Sequence, residues 1–430
     1  MNQFWVIPFL LLNTAFPDAE HSPPELNTSF MVISDPHYYD PALGVSGNAF
    51  ERYLKYNGKL VRESKELMQE AVQAILSSGV EMVLIPGDLT KDGALKSHLR
   101  FAEHLHALDK QGIKVFVVPG NHDVNSGRAR SYKGDSILKA AQAGAGKFAE
   151  IYGPYGYDKA IFRDSNSLSY ITEPVEGLWI IGLDACIYPD SNTAGYSLTG
   201  GAFQKETLRW LETNLLSEEA AQKTKVVLMH HGILEHFDSQ SRHFDEYLVH
   251  EYRKLSRQLA RMGIKIVFTG HFHANDISLQ RWRDGSFLFD IETGSLLTYP
   301  CPLRKITIGG DSMIIETQHI QSIPSLEKGL QEYAREAVKE GTAHVAERTM
   351  IRFKLNSEDA GHIANQMGDL LAGHCAGDEI ARDPALNLDG VSIWGRIMVL
   401  FRKKLARGLV TDLPPADNQL TIHLQSGRYY

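Results

Sequence analysis

The chain has 430 residues, 43% of them hydrophobic and 22% charged, which suits a folded globular protein and excludes collagenous, disordered and coiled-coil architectures. At this length one large domain with an appendage is expected. Its 44 basic and 52 acidic residues leave a net charge of −8, which argues against a dedicated nucleic-acid binder because such proteins need an excess of positive charge.

In chain order, the first feature is an apolar run at 4–12, followed by small residues around Thr14-Ala15 and Asp18-Ala19. It is too short to span a bilayer and has the length of an export signal, although no Lys or Arg precedes it. The expectation is a signal segment over 1–22 and a periplasmic or extracellular protein. A buried N-terminal segment of a cytoplasmic protein is the alternative. Cys186, Cys301 and Cys375 are too few and too scattered for a disulfide framework or zinc ribbon.

From residue 30 to about 320, short β-branched runs alternate with helical periodicity, the mark of an α/β layered domain. Strands are predicted at 30–34, 82–86, 115–118, 178–183, 226–229 and 264–269, with helices at 63–76, 95–108 and 206–216 between them. Strands at 277–281, 287–291, 305–308 and 313–317 then suggest antiparallel hairpins closing a sheet edge. Beyond Pro324 the apolar spacing becomes helical, through Leu326, Leu330, Tyr333, Ala334, Ala337 and Val338, and again through Ile393, Trp394, Ile397, Met398, Phe401 and Leu405. The expected domains are therefore 23–322, catalytic, and 323–430, mainly helical. Nothing in the second region has metal-ligand spacing: His344, His362, His374 and His423 read as ordinary structural or surface residues.

The polar residues that follow the strands carry the chemistry. Ser34-Asp35-Pro36-His37 follows the first, Pro86-Gly87-Asp88-Leu89-Thr90 the second and Pro119-Gly120-Asn121-His122-Asp123 the third. His230-His231-Gly232 and Thr269-Gly270-His271-Phe272-His273 follow two later ones. Ligands of open α/β sheets collect beyond such carboxyl ends. Asp35 and His37, two apart, would share a face of extended backbone and so one cation, and the same holds for His271 and His273. Glycines 87, 120 and 270 permit sharp turns where a Cβ would obstruct. Imidazole, carboxylate and amide together suit zinc, manganese or iron better than calcium or magnesium, and Asp88 is a carboxylate able to bridge two cations.

These five blocks, in this order over about residues 30 to 320, resemble the calcineurin-like metallophosphoesterase superfamily. The stretches 87–93 and 295–300 are similar to its phosphodiesterase-like branch. The resemblance implies an α/β fold, a layered β-sandwich flanked by helices with a C-terminal helical appendage. It implies a dinuclear centre of divalent or mixed-valence Mn, Fe or Zn. Asp35, His37 and His273 would hold one ion, Asn121, His230 and His271 the other, with Asp88 between them. It further implies hydrolysis of phosphate esters by a metal-bound hydroxide attacking phosphorus, with His122 serving the leaving oxygen and Asp123 orienting His122. His37 and Lys91 stand where purple acid phosphatases differ, so a tyrosine-ligated ferric site is not expected. The substrate would be a small phosphate ester such as a nucleotide, cyclic nucleotide or glycerophosphodiester. A nuclease of the same superfamily and a non-catalytic metal-binding scaffold are the alternatives. His98, His231 and His236 read as structural, Asp184 as a turn cap, and the long connection 38–59 either as a wall of the pocket or as a solvent-exposed insertion. Arg128, Arg130, Lys133 and Arg242 follow the metal motifs without a pattern that would make them sites.

Overall fold

The β-branched runs pair into two buried sheets. The computed structural model describes residues 26–188, 198–379 and 386–430. The apolar run at 4–12, and with it the export reading, lies outside these residues. In chain order the strands are β1 (Asn27–Val32), β2 (Met82–Ile85), β3 (Lys114–Val117), β4 (Arg130–Lys133), β5 (Ser136–Lys139), β6 (Phe162–Arg163), β7 (Tyr170–Val175), β8 (Leu178–Leu183), β9 (Thr224–Met229), β10 (Ile266–Thr269), β11 (Asp276–Arg281), β12 (Phe287–Glu292), β13 (Pro302–Gly309), β14 (Ser312–His319) and β15 (Gln419–His423). The helices are α1 (Asn48–Lys55), α2 (Ser64–Ser77), α3 (Leu95–Asp109), α4 (Ala145–Ile151), α5 (Lys205–Leu215), α6 (Glu218–Ala221), α7 (Gln240–His243), α8 (Tyr252–Arg261), α9 (Leu330–Arg352), α10 (Ser357–Ala376) and α11 (Ile393–Gly408).

One sheet has the order β15-β14-β13-β1-β2-β3 and the other β11-β12-β10-β9-β8-β7-β6, while β4 and β5 form a separate ribbon. The sheets pack face to face, with Phe30 of β1 edge-on to Phe268 of β10 at 5.6 Å between ring centres. Alternation decides which residues face which layer. Val226 and Leu228 of β9 join the core between the sheets, while Val227 and Met229 join the layer under α5 and α8. On the other side α2 and α3 bury Leu67, Met68, Phe101 and Leu105. The result is a β-sandwich flanked by helices. In it β1, β2 and β3 run parallel, as do β8, β9, β10 and β12, so the loops after β1, β2, β3, β9 and β10 share one rim.

One feature differs from expectation. The late hairpins do not close one edge: β11 pairs with β12 in the second sheet, and β13 with β14 in the first. The C-terminal region is mainly helical, as expected, and adds one strand, β15, which pairs antiparallel with β14. Just before it, Asp417 accepts the N–H of Ile277 at 2.7 Å, and the fully buried Arg304 donates to the carbonyls of Glu292 (2.7 Å) and Asp417. These bonds strap the tail to both sheets. Between β14 and β15, α9, α10 and α11 cover the rim. Gln331 of α9 donates to the carbonyls of Pro300 (2.9 Å) and Ile320 (2.6 Å). Helix α10 is not anticipated by apolar spacing, since its sequence is diluted with Gly and Ala. Its start is nevertheless marked by Asn356, whose side chain accepts from the N–H of Asp359 at 2.9 Å. Among the described residues no helix is long and apolar enough to cross a membrane.

Candidate metal centre

The ends of β1, β2 and β10 turn polar side chains inward through strained backbone. Asp35, His37, Asp88, His271 and His273 have φ of 47°, 35°, 49°, 78° and 71°. The extended backbone expected for Asp35-x-His37 and His271-x-His273 is therefore replaced by left-handed turns, which cost of order 1–3 kcal/mol each and persist where the surroundings over-determine them. Neighbouring glycines permit this crowding. A Cβ on Gly270 would overlap Ser34 Oγ and Asp35 Oδ2, and one on Gly120 would overlap the Asp88 carboxylate.

Two clusters result, and they share Asp88: Asp35, His37, Asp88 and His273 form one, and Asp88, His230 and His271 the other. Asp35 Oδ2 accepts from Ser34 Oγ (2.5 Å) and from the N–H of His271 (3.0 Å). Asp35 Oδ1 is buried without a hydrogen bond, 3.2 Å from His273 Nε2 and 3.8 Å from His37 Nε2. Those two imidazole nitrogens face each other at 3.1 Å. Asp88 Oδ1 accepts the N–H of His122 at 2.8 Å, which leaves Oδ2 lying 3.6 Å from His37 Nε2 and 3.5 Å from His230 Nε2.

The second cluster is fixed by backbone carbonyls. His230 Nδ1 donates to Pro86 O at 2.8 Å, so its Nε2 is aimed at Asn121 Oδ1, 3.2 Å away. His271 Nε2 donates to Glu246 O at 3.3 Å, which leaves Nδ1 for the cluster. Burial alone would lower the His230 pKa, but the Asp88 carboxylate outweighs it and pushes the group up to about 9. A proton there and a metal cation would answer the same demand from oxygen. Burial holds the pKa of His37 and His271 well below the usual imidazole range, which keeps them in the neutral form that ligates. The residues fit a dinuclear site: an orphaned carboxylate oxygen, opposed imidazole nitrogens, and mixed N/O donors of the kind zinc, manganese and iron accept.

His122 sits at the edge of the clusters, its Nε2 4.0 Å from Asp88 Oδ2. The residue expected to orient it is not the one that does. Asp123 turns away: its buried carboxylate accepts the N–H groups of Leu89, Thr90 and Gly120, each at 2.9 Å, and the Thr90 hydroxyl at 3.0 Å. It therefore ties the loop carrying Asp88 to the loop carrying Asn121. Burial, then Asp88, raises its pKa to about 7. His122 Nδ1 instead meets Asp92 Oδ1 at 3.0 Å. Burial would raise the Asp92 pKa, but Lys91, at 2.6 Å, and the bond from His122 bring it down to about 2. Lys91 is itself enclosed by Tyr53, Tyr39 and Tyr132, its ammonium 4.2 to 5.6 Å from their ring centres. Asp92 lies in a motif already legible in the sequence, but spacing alone does not separate it from Asp123.

Lys59 is a second residue that motif reasoning does not reach. It ends the long connection after His37, and its Nζ donates to His37 Nε2 at 2.9 Å. With Tyr56, Asn57, Gly58 and Arg128 it lines a cavity of about 760 Å³ that also touches Asp88, Asn121, His122, His271 and His273. Other candidates have structural work. His231 Nε2 donates to Thr199 O (2.9 Å), His98 bonds Tyr152 Oη (2.9 Å), and His236 bonds Asp276 (2.8 Å). Asp184 accepts from the N–H groups of Leu168 and Cys186, and Arg130 donates to the carbonyls of Gly127 and Ala129. The three cysteines are free.

The calcineurin-like phosphoesterase family model matches residues 28–275 of the chain. No curated protein matches its sequence. Solved structures similar to it include a dimetal phosphatase from Danio rerio (16% identity, TM-score 0.48, 68% of this chain and 96% of that one). A purple acid phosphatase from yellow lupin (10%, 0.40, 68% and 52%) and the NAD nucleotidase of Haemophilus influenzae (13%, 0.35, 70% and 50%) are more distant.

Proposed function

The chain belongs to the calcineurin-like phosphoesterase family and is a metal-dependent phosphoesterase, and from that premise we propose that it cleaves a phosphodiester or phosphomonoester at the rim formed by the loops after β1, β2, β3, β9 and β10. The observation that carries this reading is Asp88 Oδ2, placed between His37 and His230 at 3.6 and 3.5 Å and so common to both clusters. Asp35, His37 and His273 would hold one cation, and Asn121, His230 and His271 the other, with Asp88 reaching both. Bound metal would supply an activated water and neutralise charge on the phosphoryl oxygens.

The remaining residues have separable tasks. Asp92 holds the Nδ1 proton of His122, so the imidazolium presents its Nε2 proton to the leaving oxygen and returns to neutral imidazole as the ester bond breaks. Lys91 keeps Asp92 ionised while that happens. Lys59 and Arg128 face the same cavity and draw in the anionic ester. The end of the long connection, Tyr56 to Lys59, thereby acts as a pocket wall.

The test combines elemental analysis with chromogenic esters, p-nitrophenyl phosphate and bis(p-nitrophenyl) phosphate, under manganese, zinc or iron. Two metal equivalents per chain and turnover abolished by chelation are expected. Metal bound at full stoichiometry with no ester cleaved would mark the chain as a scaffold and defeat the proposal.

A further inference from the structure

The cavity at the metal centre does not end there. It runs on beneath the C-terminal helices, where its walls become mostly apolar: Val338 and Met350 of α9, Met367 and Leu371 of α10, Met398 and Leu405 of α11, with Thr342, Thr349 and Arg402 the polar exceptions. Polar groups gather at the metal end, where Lys59, His122 and Arg128 line it beside the proposed ligands. A nucleotide or glycerol head placed along the helical part would surrender water for few hydrogen bonds in return, which is costly. An aliphatic chain would lose nothing, and unbranched methionines adapt to such chains.

Helix α11, which supplies one wall, bears a second apolar stripe on its opposite side. Ile393, Trp394, Leu400 and Phe401 are 80%, 49%, 69% and 78% exposed, and helical geometry puts them on one face. Arg396, Lys403, Lys404 and Arg407 border that stripe, and residues 393–408 contain no acidic side chain. In a chain of net charge −8 this is a local basic, amphipathic surface, the pattern of a helix lying in a lipid–water interface.

We propose that the substrate is an amphiphilic phosphate ester, its phosphate at the metal centre and its aliphatic chain between α9, α10 and α11, drawn from a lipid surface against the outer face of α11. This rests on the phosphoesterase reading above. Substrate class is thus set by the helical region, which contributes none of the proposed metal ligands.

The experiment uses the full metal-loaded chain and a series of alkyl p-nitrophenyl phosphodiesters from methyl to dodecyl, below their aggregation concentrations. Burial of about 0.8 kcal/mol per methylene predicts that kcat/KM rises about fourfold with each carbon until the cavity is full. Binding of dodecylphosphonate should exceed that of methylphosphonate in calorimetry, with a negative heat-capacity change, while dodecanol binds far more weakly. Met367→Trp and Met398→Trp should each end the rise at a shorter chain; if neither variant folds, the wild-type series still decides. The same esters in phosphatidylglycerol vesicles should be cleaved faster by wild type than by Leu400→Ser/Phe401→Ser. Methyl and dodecyl esters cleaved alike, dodecanol bound as tightly as dodecylphosphonate, or vesicle cleavage indifferent to the double substitution would each overturn the inference. Absence of turnover on every ester, methyl included, with metal bound would instead defeat the phosphoesterase reading.

Discussion

The rim of the sandwich and the helical cover above it are built on opposite principles. On the rim, position is over-determined. Five proposed ligands occupy left-handed backbone, and Asp123 and Asp290 each fasten loops, Asp290 by accepting from the N–H groups of Ile233 (2.6 Å) and Leu234 (2.9 Å) and from Thr269 Oγ1 (2.6 Å). In the cover, α9 to α11 present Met, Leu and Val side chains whose exact placement is tolerant of change. Chemistry that needs sub-ångström geometry sits on strand ends, while recognition by area can be left to helices.

The largest expected effect breaks the rim. Asp88→Ala should reduce turnover by about 10³-fold or more and lower metal content at both clusters, because one carboxylate serves both. Metal content unchanged in that variant would show that Asp88 bridges nothing. Next comes the leaving-group pair. His122→Ala should lose about 10²- to 10⁴-fold in kcat with metal retained. Asp92→Asn should lose about 10- to 100-fold and flatten the pH profile of kcat, an effect that a purely structural role would not produce.

Asp123→Ala tests the corrected assignment from the stability side. Stripping one acceptor from four buried donors should cost about 3 kcal/mol or more in urea unfolding, and Asp123→Asn should recover part of it. If Asp123→Ala proves fully stable but slow, Asp123 belongs with the catalytic pair after all. The smallest effect lies on the cover. Leu400→Ser/Phe401→Ser should leave unfolding within about 0.5 kcal/mol of wild type, since both side chains face solvent. A loss well beyond that would mean the outer stripe of α11 is packed.

Sequence and structure agree most closely where physics is local. Strand ends carrying Asp, Asn and His after β-branched runs are visible because alternation and glycine placement are short-range signals, and the helical stripes of α9 and α11 are legible for the same reason. Asp92, Lys59 and the cavity are not, because each depends on which of several polar or apolar residues the tertiary fold brings together. Strand β15 carried a readable signal in the alternation of Leu420, Ile422 and Leu424, but its neighbours invite a helical reading of the whole tail. The opposite error affects Asp35 and His37. Their two-residue spacing suggests extended backbone, whereas convergence on a point requires a turn.

The late arrival of β15 has a consequence for biogenesis. Strand β14 ends at His319 and its edge partner begins only at Gln419, so during synthesis the edge of the first sheet stands open while the three cover helices emerge. The polar partners of Arg304 at the Asp417 end arrive with the same late segment. A nascent chain halted between these points holds every proposed ligand yet exposes a strand edge and a buried guanidinium short of one acceptor. Quality-control proteases should therefore recognise such a product, and ribosome stalling in this window should yield degradation rather than a shorter enzyme.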